Sequence, residues 1–268
     1  MGGKQAEINR RQFACRGLTA GVGSLVATRG AVAVAQPSLE ARLISDNDIL
    51  NFILNLDYLQ AELYTVAISG RRIADYSVAI GGVGTAGDTV GGAAVAFEPR
   101  LHEVVTQLAA DERVHVKTLR DQLGSLAVAK PAIDLEAMGA GFRSEAEFLG
   151  LARMFEDLVM TSYLGVSSLI GDPRLRATTV GLALAEAQHA NTFRSLVSER
   201  GLVVPRFDAL DVPPPPSAVG RHFNVDSEGL CHVRSASQAL AVLYRTETPF
   251  AAAGGFFPQG LNGVVRNV

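Results

Sequence analysis

Two glutamate–histidine pairs stand out among the residues able to do chemistry. Glu112 precedes His115 by three positions, and Glu186 precedes His189 by the same spacing. Residues three apart share one face of a helix, so each pair would project from its helix together. With 14 Glu and 5 His in 268 residues, chance gives roughly 0.3 such spacings. Carboxylates and imidazoles ligate iron and manganese alike, so the repeated spacing predicts a metal site.

Two further glutamates, Glu62 and Glu156, lie on apolar stripes of other predicted helices. Asp57 shares the helix of Glu62, so the assignment of Glu62 depends on its helical phase. The alternative for both pairs is a bundle that carries Glu-x-x-His spacings on solvated faces. Against it, the residues at helical spacing around both pairs are mainly Leu, Val, Ala and Phe.

Burial of four carboxylates in an apolar core would cost several kcal/mol per ion unless cations compensate them. No series of lysines or arginines occupies matching inward positions. Two metal ions would neutralise these charges, and the sequence does not choose iron over manganese. One Glu from each of two helices and Glu-x-x-His from each of the others is typical of di-iron and di-manganese carboxylate proteins. The predicted ligands are Glu62, Glu112, His115, Glu156, Glu186 and His189.

Four segments with helical periodicity must position these residues. Gly-rich residues 70–97 separate the first helix from the second, and residues 124–143, with Pro131, connect the second to the third. Two helical hairpins joined by such a crossover match the ferritin-like four-helix bundle, so the predicted fold is all-α. The helices are predicted at about 47–69, 99–123, 144–171 and 174–200, with caps at Asp46 or Asn47 and at Ser144.

The ends of the chain differ from this bundle, which is predicted over 46–201. Residues 202–268 contain Pro213–Pro216, a short predicted helix at 236–245, and an irregular stretch with Phe256 and Phe257. Two adjacent phenylalanines would be unfavourable in water. We therefore expect this extension to pack on the bundle.

Residues 1–35 resemble a twin-arginine export signal. Arg10-Arg11 precedes a modestly apolar stretch, and Ala33-Val34-Ala35 forms a small-x-small cleavage site. The stretch is too short for a permanent membrane span, and a disordered N-terminus is the alternative. The pattern predicts recognition by the twin-arginine export machinery and a periplasmic or extracellular protein, with residues 36–45 as a linker. The chain after residue 35 has 19 basic and 26 acidic residues, which argues against nucleic-acid binding.

Several segments resemble the ferritin-like proteins called desiccation-related. They are Leu54–Tyr64, Phe155–Asp157 with Tyr163–Gly165, Glu186–Ala190 and the C-terminal Gly254–Gly263, and the likeness covers roughly residues 46–265. The resemblance implies a ferritin-like fold with the same six residues as ligands, and an association with stress rather than a defined reaction. One departure from the wider di-iron class is Ala185, which stands where an Asp matching Asp111 would precede Glu186.

These observations favour an exported di-metal protein that reacts with O2 or peroxide, with no catalytic residue assigned beyond the ligands. A non-enzymatic protective or metal-sequestering protein with a structural site is the alternative, and a stress-response scaffold with an empty site is a third. The sequence leaves open a homodimer.

Overall fold

Four long helices form the middle of the protein in the computed structural model, which describes residues 44–268. They are α1 (Asp46–Ser69), α2 (Pro99–Leu123), α3 (Glu145–Ser167) and α4 (Pro173–Glu199). The prediction of an all-α fold is confirmed. The export signal at 1–35 and most of the linker at 36–45 lie outside the described residues.

The helices pack as two pairs. Helix α1 makes most of its contacts with α2, and α3 makes most of its contacts with α4. The crossover at 124–144 joins the pairs and begins with a 3₁₀ turn at Gly124–Leu126. This pairing turns the inner faces of all four helices toward one shared core, which is where the predicted ligands must meet.

The helix ends follow the capping chemistry of the sequence, with small differences. Ser45 caps α1 in a reciprocal box with Asp48, one residue before the predicted cap, and Gly70 ends α1 at a φ of 68°. The Ser144 side chain caps α3 as predicted, accepting from the Glu147 amide. The Glu147 carboxylate instead accepts from the Gly141 amide, so the box is half formed. Asp172 caps α4 through two backbone amides.

Helix α1 is buried on all sides, from Asp48 through Ala67. The two long connections cover the side that the other helices leave open. They pair with each other through the short parallel strands β1 (Thr89–Val90) and β2 (Ile133–Asp134), and a 3₁₀ turn at Ile73–Tyr76 precedes them. Tyr58 donates to the Val128 carbonyl, which ties α1 to this cover.

The C-terminal extension lies against α3 and α4. Its helix α5 (Ala236–Leu243) packs on α3, and Phe256 and Phe257 are both buried. The Phe256 ring meets that of Phe155 edge-on at 4.8 Å between centroids. These contacts add an apolar layer outside the bundle core.

Buried arginines hold the extension in place. Arg194 on α4 bonds to Asp157 at 2.7 Å and to the carbonyl oxygens of Val212 and His222. Arg153 on α3 bonds to Asp211 at 2.7 Å. Because both ends of each ion pair are buried, removal of one partner would leave an uncompensated charge.

Among residues 44–268, no helix combines the length and the apolar character that crossing a bilayer requires.

Candidate metal centre

Five of the six predicted ligands meet in the core between the helices. Helix α2 contributes Glu112 and His115, α3 contributes Glu156, and α4 contributes Glu186 and His189. The three carboxylates are fully buried, while the His189 side chain is 13% exposed. One ligand atom from each of Glu112, Glu156, Glu186 and His189 lies within 4.8 Å of the others. This group could hold a metal ion.

His115 extends the group to a second position. Its Nδ1 lies 2.9 Å from Oε1 of Glu186 and 3.5 Å from Oε2 of Glu112. The other oxygens of the same glutamates face His189, whose Nδ1 lies 3.2 Å from Oε1 of Glu112 and 3.9 Å from Oε2 of Glu186. The two imidazoles stack at 5.8 Å between ring centroids. Glu112 and Glu186 therefore each present one oxygen to each histidine, so both glutamates could help to hold two ions.

Glu156 belongs to one position only. Its Oε2 lies 3.8 Å from Nδ1 of His189. Its Oε1 accepts hydrogen bonds from Nε2 of Gln60, at 3.2 Å, and from the Tyr64 hydroxyl. The two donors hold one oxygen of the carboxylate and leave the other free to bind on the His189 side.

The structure does not bring Glu62 into this group, which corrects the sequence-based placement. The Glu62 carboxylate lies 3.5 Å from Nζ of Lys130 and accepts from the Ile73 amide at 3.3 Å. It therefore faces the covering connections and is neutralised by a buried lysine. The apolar stripe around Glu62 did not indicate the site because α1 is apolar and buried on every side.

Helix α1 instead presents Gln60 and Tyr64 to the site. The Gln60 amide also donates to Oε2 of Glu186 at 3.2 Å, and the Tyr64 ring stacks on Phe193. Asp57, one turn earlier, accepts from the Tyr163 hydroxyl at 2.8 Å. The spacing of three and then four residues is the signal that sequence reasoning missed, since it places all three polar side chains on one face.

Asp111 lies four residues before His115 in the sequence but faces the histidine of the other pair. Its Oδ2 lies 3.8 Å from Nε2 of His189 on α4. This separation is longer than a hydrogen bond, so Asp111 acts on the His189 imidazole by its charge. Ala185 offers no such group.

Seven polar atoms of the site are buried without a hydrogen-bond partner. They are Oε1 of Gln60, both carboxylate oxygens of Glu112, Oε2 of Glu156, Oε1 of Glu186, and Nδ1 of His115 and of His189. A buried polar atom without a partner costs about 1–3 kcal/mol, so seven in one place need an explanation. All are atom types that coordinate first-row metals, and cations would satisfy them together. The residues present thus fit a metal centre.

The protonation states reflect the crowding of these charges. Burial raises the pKa of Glu112, but the two imidazoles outweigh it and lower that pKa to about 2. Burial lowers the pKa of His115, but Glu112 and Glu186 outweigh it and raise that pKa to about 12. The pKa of Glu156 is well above its usual range because of burial and of the charges of Glu186 and Glu112. Without metal, the site holds protons where metals would bind.

Comparison with known proteins agrees with this geometry. A sequence model of the ferritin-like domain matches residues 45–199, which is more than half of the chain. A desiccation-related protein, PCC13-62 of Craterostigma plantagineum, is 24% identical over 173 residues. The match covers 58% of this chain and 54% of that relative, so the chain spans about half the length of the relative it matches.

Proposed function

Since the chain belongs to the ferritin-like domain family, we propose that it binds two iron or manganese ions in the bundle core and reacts there with O2 or peroxide. Its role would be protection of the cell under stress. The observation that carries the proposal is the convergence of seven unsatisfied buried ligand atoms from all four helices. Without a bound cation, the three buried carboxylates have only ion pairs with two imidazoles, which lack hydrogen-bond geometry, in place of the water that they have lost.

The two positions are unequal. The position at His189 has four candidate ligands, because Glu156 joins Glu112 and Glu186 there. The position at His115 has Glu112, Glu186 and the imidazole. The nearest further carboxylate, Asp57 of α1, interacts with His115 by charge but accepts a hydrogen bond from the Tyr163 hydroxyl. We therefore expect the His189 position to fill first and the His115 position to bind more weakly.

Two metals of variable valence would supply the electrons to reduce an O–O bond. The protein would position the ions, hold protons beside them and exclude water from the site. Tyr64 holds a proton in a hydrogen bond to Oε1 of Glu156, next to the site. Buried Leu108 and Phe193 shield the site from solvent, so the charges act in a medium of low polarity.

A second function is also supported, namely metal sequestration or stress protection without turnover. Ala185 carries it, because α4 has no carboxylate at the position that matches Asp111 of α2. The similar protein from Craterostigma plantagineum is called desiccation-related, a name that states a circumstance and not a reaction.

One experiment separates these functions. The purified full chain is analysed for metal content, then tested for consumption of hydrogen peroxide after loading with iron or with manganese. Glu112→Ala removes a carboxylate that lies near both histidines, and Glu103→Ala on the exposed face of the same helix is its matched control. We expect turnover in the wild type and the control, and none in Glu112→Ala with its helical content intact. Bound metal without turnover for either ion would refute the redox function and favour sequestration.

We extend the proposal to export through the twin-arginine pathway, with the protein acting in the periplasm or outside the cell. Its support is the pattern of Arg10-Arg11 and Ala33-Val34-Ala35. Cell fractionation with N-terminal sequencing should find a mature chain that begins at Gln36. An uncleaved protein in the cytoplasmic fraction would refute it.

A further inference from the structure

A cavity of about 340 Å³ lies between α2 and α4, directly beside the candidate metal centre. Its lining includes Gln107 and Asp111 of α2 and Gln188 and His189 of α4. We call it the α2–α4 cavity. Three other cavities of the described part of the chain are lined by none of the five clustered ligands.

The cavity runs from solvent to His189, the most exposed of the five clustered ligands. Asp111 and Gln188 at its outer end are exposed, whereas Phe193 at its inner end is fully buried. His189 lies between them with 13% of its side chain exposed, while the side chains of Glu112, Glu156 and Glu186 have no exposure. A particle entering here therefore meets His189 before any carboxylate of the site.

The chemistry of the lining suits a hydrated cation. Asp111 is its one carboxylate, no lysine or arginine contributes to it, and Gln107, Gln188 and Thr192 offer neutral polar groups. A divalent ion with six waters occupies about 180 Å³ at 30 Å³ per water, which the volume of this cavity accommodates. An anion would meet the Asp111 carboxylate at the outer end, and His189 further in is the one lining side chain that can carry a positive charge.

We propose that the α2–α4 cavity is the passage by which hydrated divalent cations reach the buried site, with Asp111 as their outer contact. Asp111 and His189 are neighbours, with Oδ2 and Nε2 3.8 Å apart. A cation held at Asp111 has only to pass the edge of the imidazole to meet the unpartnered oxygens of Glu112. The inference rests on the proposed metal binding and goes beyond it in naming the route.

A passage has a kinetic signature that a ligand does not have. Narrowing the passage slows the entry and the exit of the cation by the same factor. The dissociation constant stays unchanged, because only the barrier between the free and the metal-bound protein is altered. Ala185 lines the cavity, and Ala187, two residues along the same helix, does not. Ala185→Leu should therefore obstruct the passage, and Ala187→Leu is a control equally close to Glu186.

The experiment uses Co²⁺ as the probe in the full chain. Uptake by chelator-stripped protein and release from loaded protein into excess EDTA are both followed by stopped-flow absorption. Ala185→Leu should slow both rates roughly tenfold with the same final stoichiometry, since entry would now require displacement of a side chain. Ala187→Leu should match the wild type. Equal rates in the two leucine variants, or a change in only one of the two rates with a correspondingly changed dissociation constant, would overturn the passage.

A second variant tests the charge without a change of volume. Asp111→Asn should slow uptake by about threefold to tenfold at low ionic strength and reduce its dependence on salt. Asp121→Asn, on the exposed surface of the same helix, should leave uptake unchanged. Uptake by Asp111→Asn at the wild-type rate would exclude Asp111 as the outer contact. Absence of bound cobalt in the wild type would instead refute the proposed metal binding itself.

Discussion

Replacement of Glu156 by Gln should make the metal-free protein more stable and abolish its stabilisation by metal. Glutamine has nearly the same shape, and its carbonyl can still accept from Gln60 and Tyr64, as Oε1 of Glu156 does. The substitution removes a buried carboxyl group whose pKa is raised by burial and by two neighbouring carboxylates. It also removes one of the four ligands of the better-defined position.

The expected magnitude follows from the geometry. Two charges no more than 4.8 Å apart repel by at least about 3 kcal/mol at an effective dielectric constant of 20. Protonation of Glu156 relieves part of this repulsion, so we expect Glu156→Gln to stabilise the metal-free protein by about 1–3 kcal/mol. At a metal concentration of about 1,000 times Kd, binding should stabilise the wild type by about 4 kcal/mol. Each kcal/mol is worth about 2–4 °C in Tm for a domain of this size.

Thermal denaturation with EDTA and with added Mn²⁺ measures both effects. The wild type should gain about 8–16 °C on loading, while Glu156→Gln should show little change with metal and a higher Tm in EDTA. Glu103→Gln, an exposed change on α2, serves as the control and should behave as the wild type. The reasoning is refuted if Glu156→Gln keeps the full metal-dependent rise, or if its metal-free form is less stable than the wild type.

Three other predictions follow from the same contacts. Metal ligation requires a deprotonated Nδ1, and the pKa of His115 is raised to about 12, so metal binding should release protons and become tighter as pH rises from 5 to 8. A pH-indicator dye in weak buffer would detect the released protons, and an affinity that does not depend on pH would contradict this prediction. Arg194→Met should lower the free energy of unfolding, measured by urea denaturation, by about 3 kcal/mol, because it removes one partner of the buried Asp157 carboxylate. A loss below about 1 kcal/mol would count against Arg194 as an anchor of the C-terminal extension. Gly165→Ala should destabilise the protein, since an added Cβ would lie 1.9 Å from the Arg234 carbonyl oxygen. Its control, Gly181→Ala, adds a methyl group in open space on α4 and should stabilise the protein by about 0.5–1 kcal/mol. Equal effects of the two substitutions on Tm would show that Gly165 and Arg234 do not approach this closely.

The sequence alone was sufficient for the parts of the site that are local in the chain. Glu112 and His115 share a face because the helix has 3.6 residues per turn, and no tertiary contact is needed to bring them together. The same holds for Glu186 and His189. Helices α2 and α4 each have an exposed side, so their apolar stripes identify the inner face and place both pairs correctly.

Tertiary structure decided what α1 contributes. A hydrophobic stripe orients a helix only when water covers its other side, and α1 is buried from Asp48 to Ala67. The connections at 70–98 and 124–144 provide Lys130 and the Ile73 amide to Glu62, which turns Gln60 and Tyr64 toward the metal centre. The side chains that reach the site from α1 therefore depend on contacts between residues distant in the chain, and helical periodicity carries no information about those contacts.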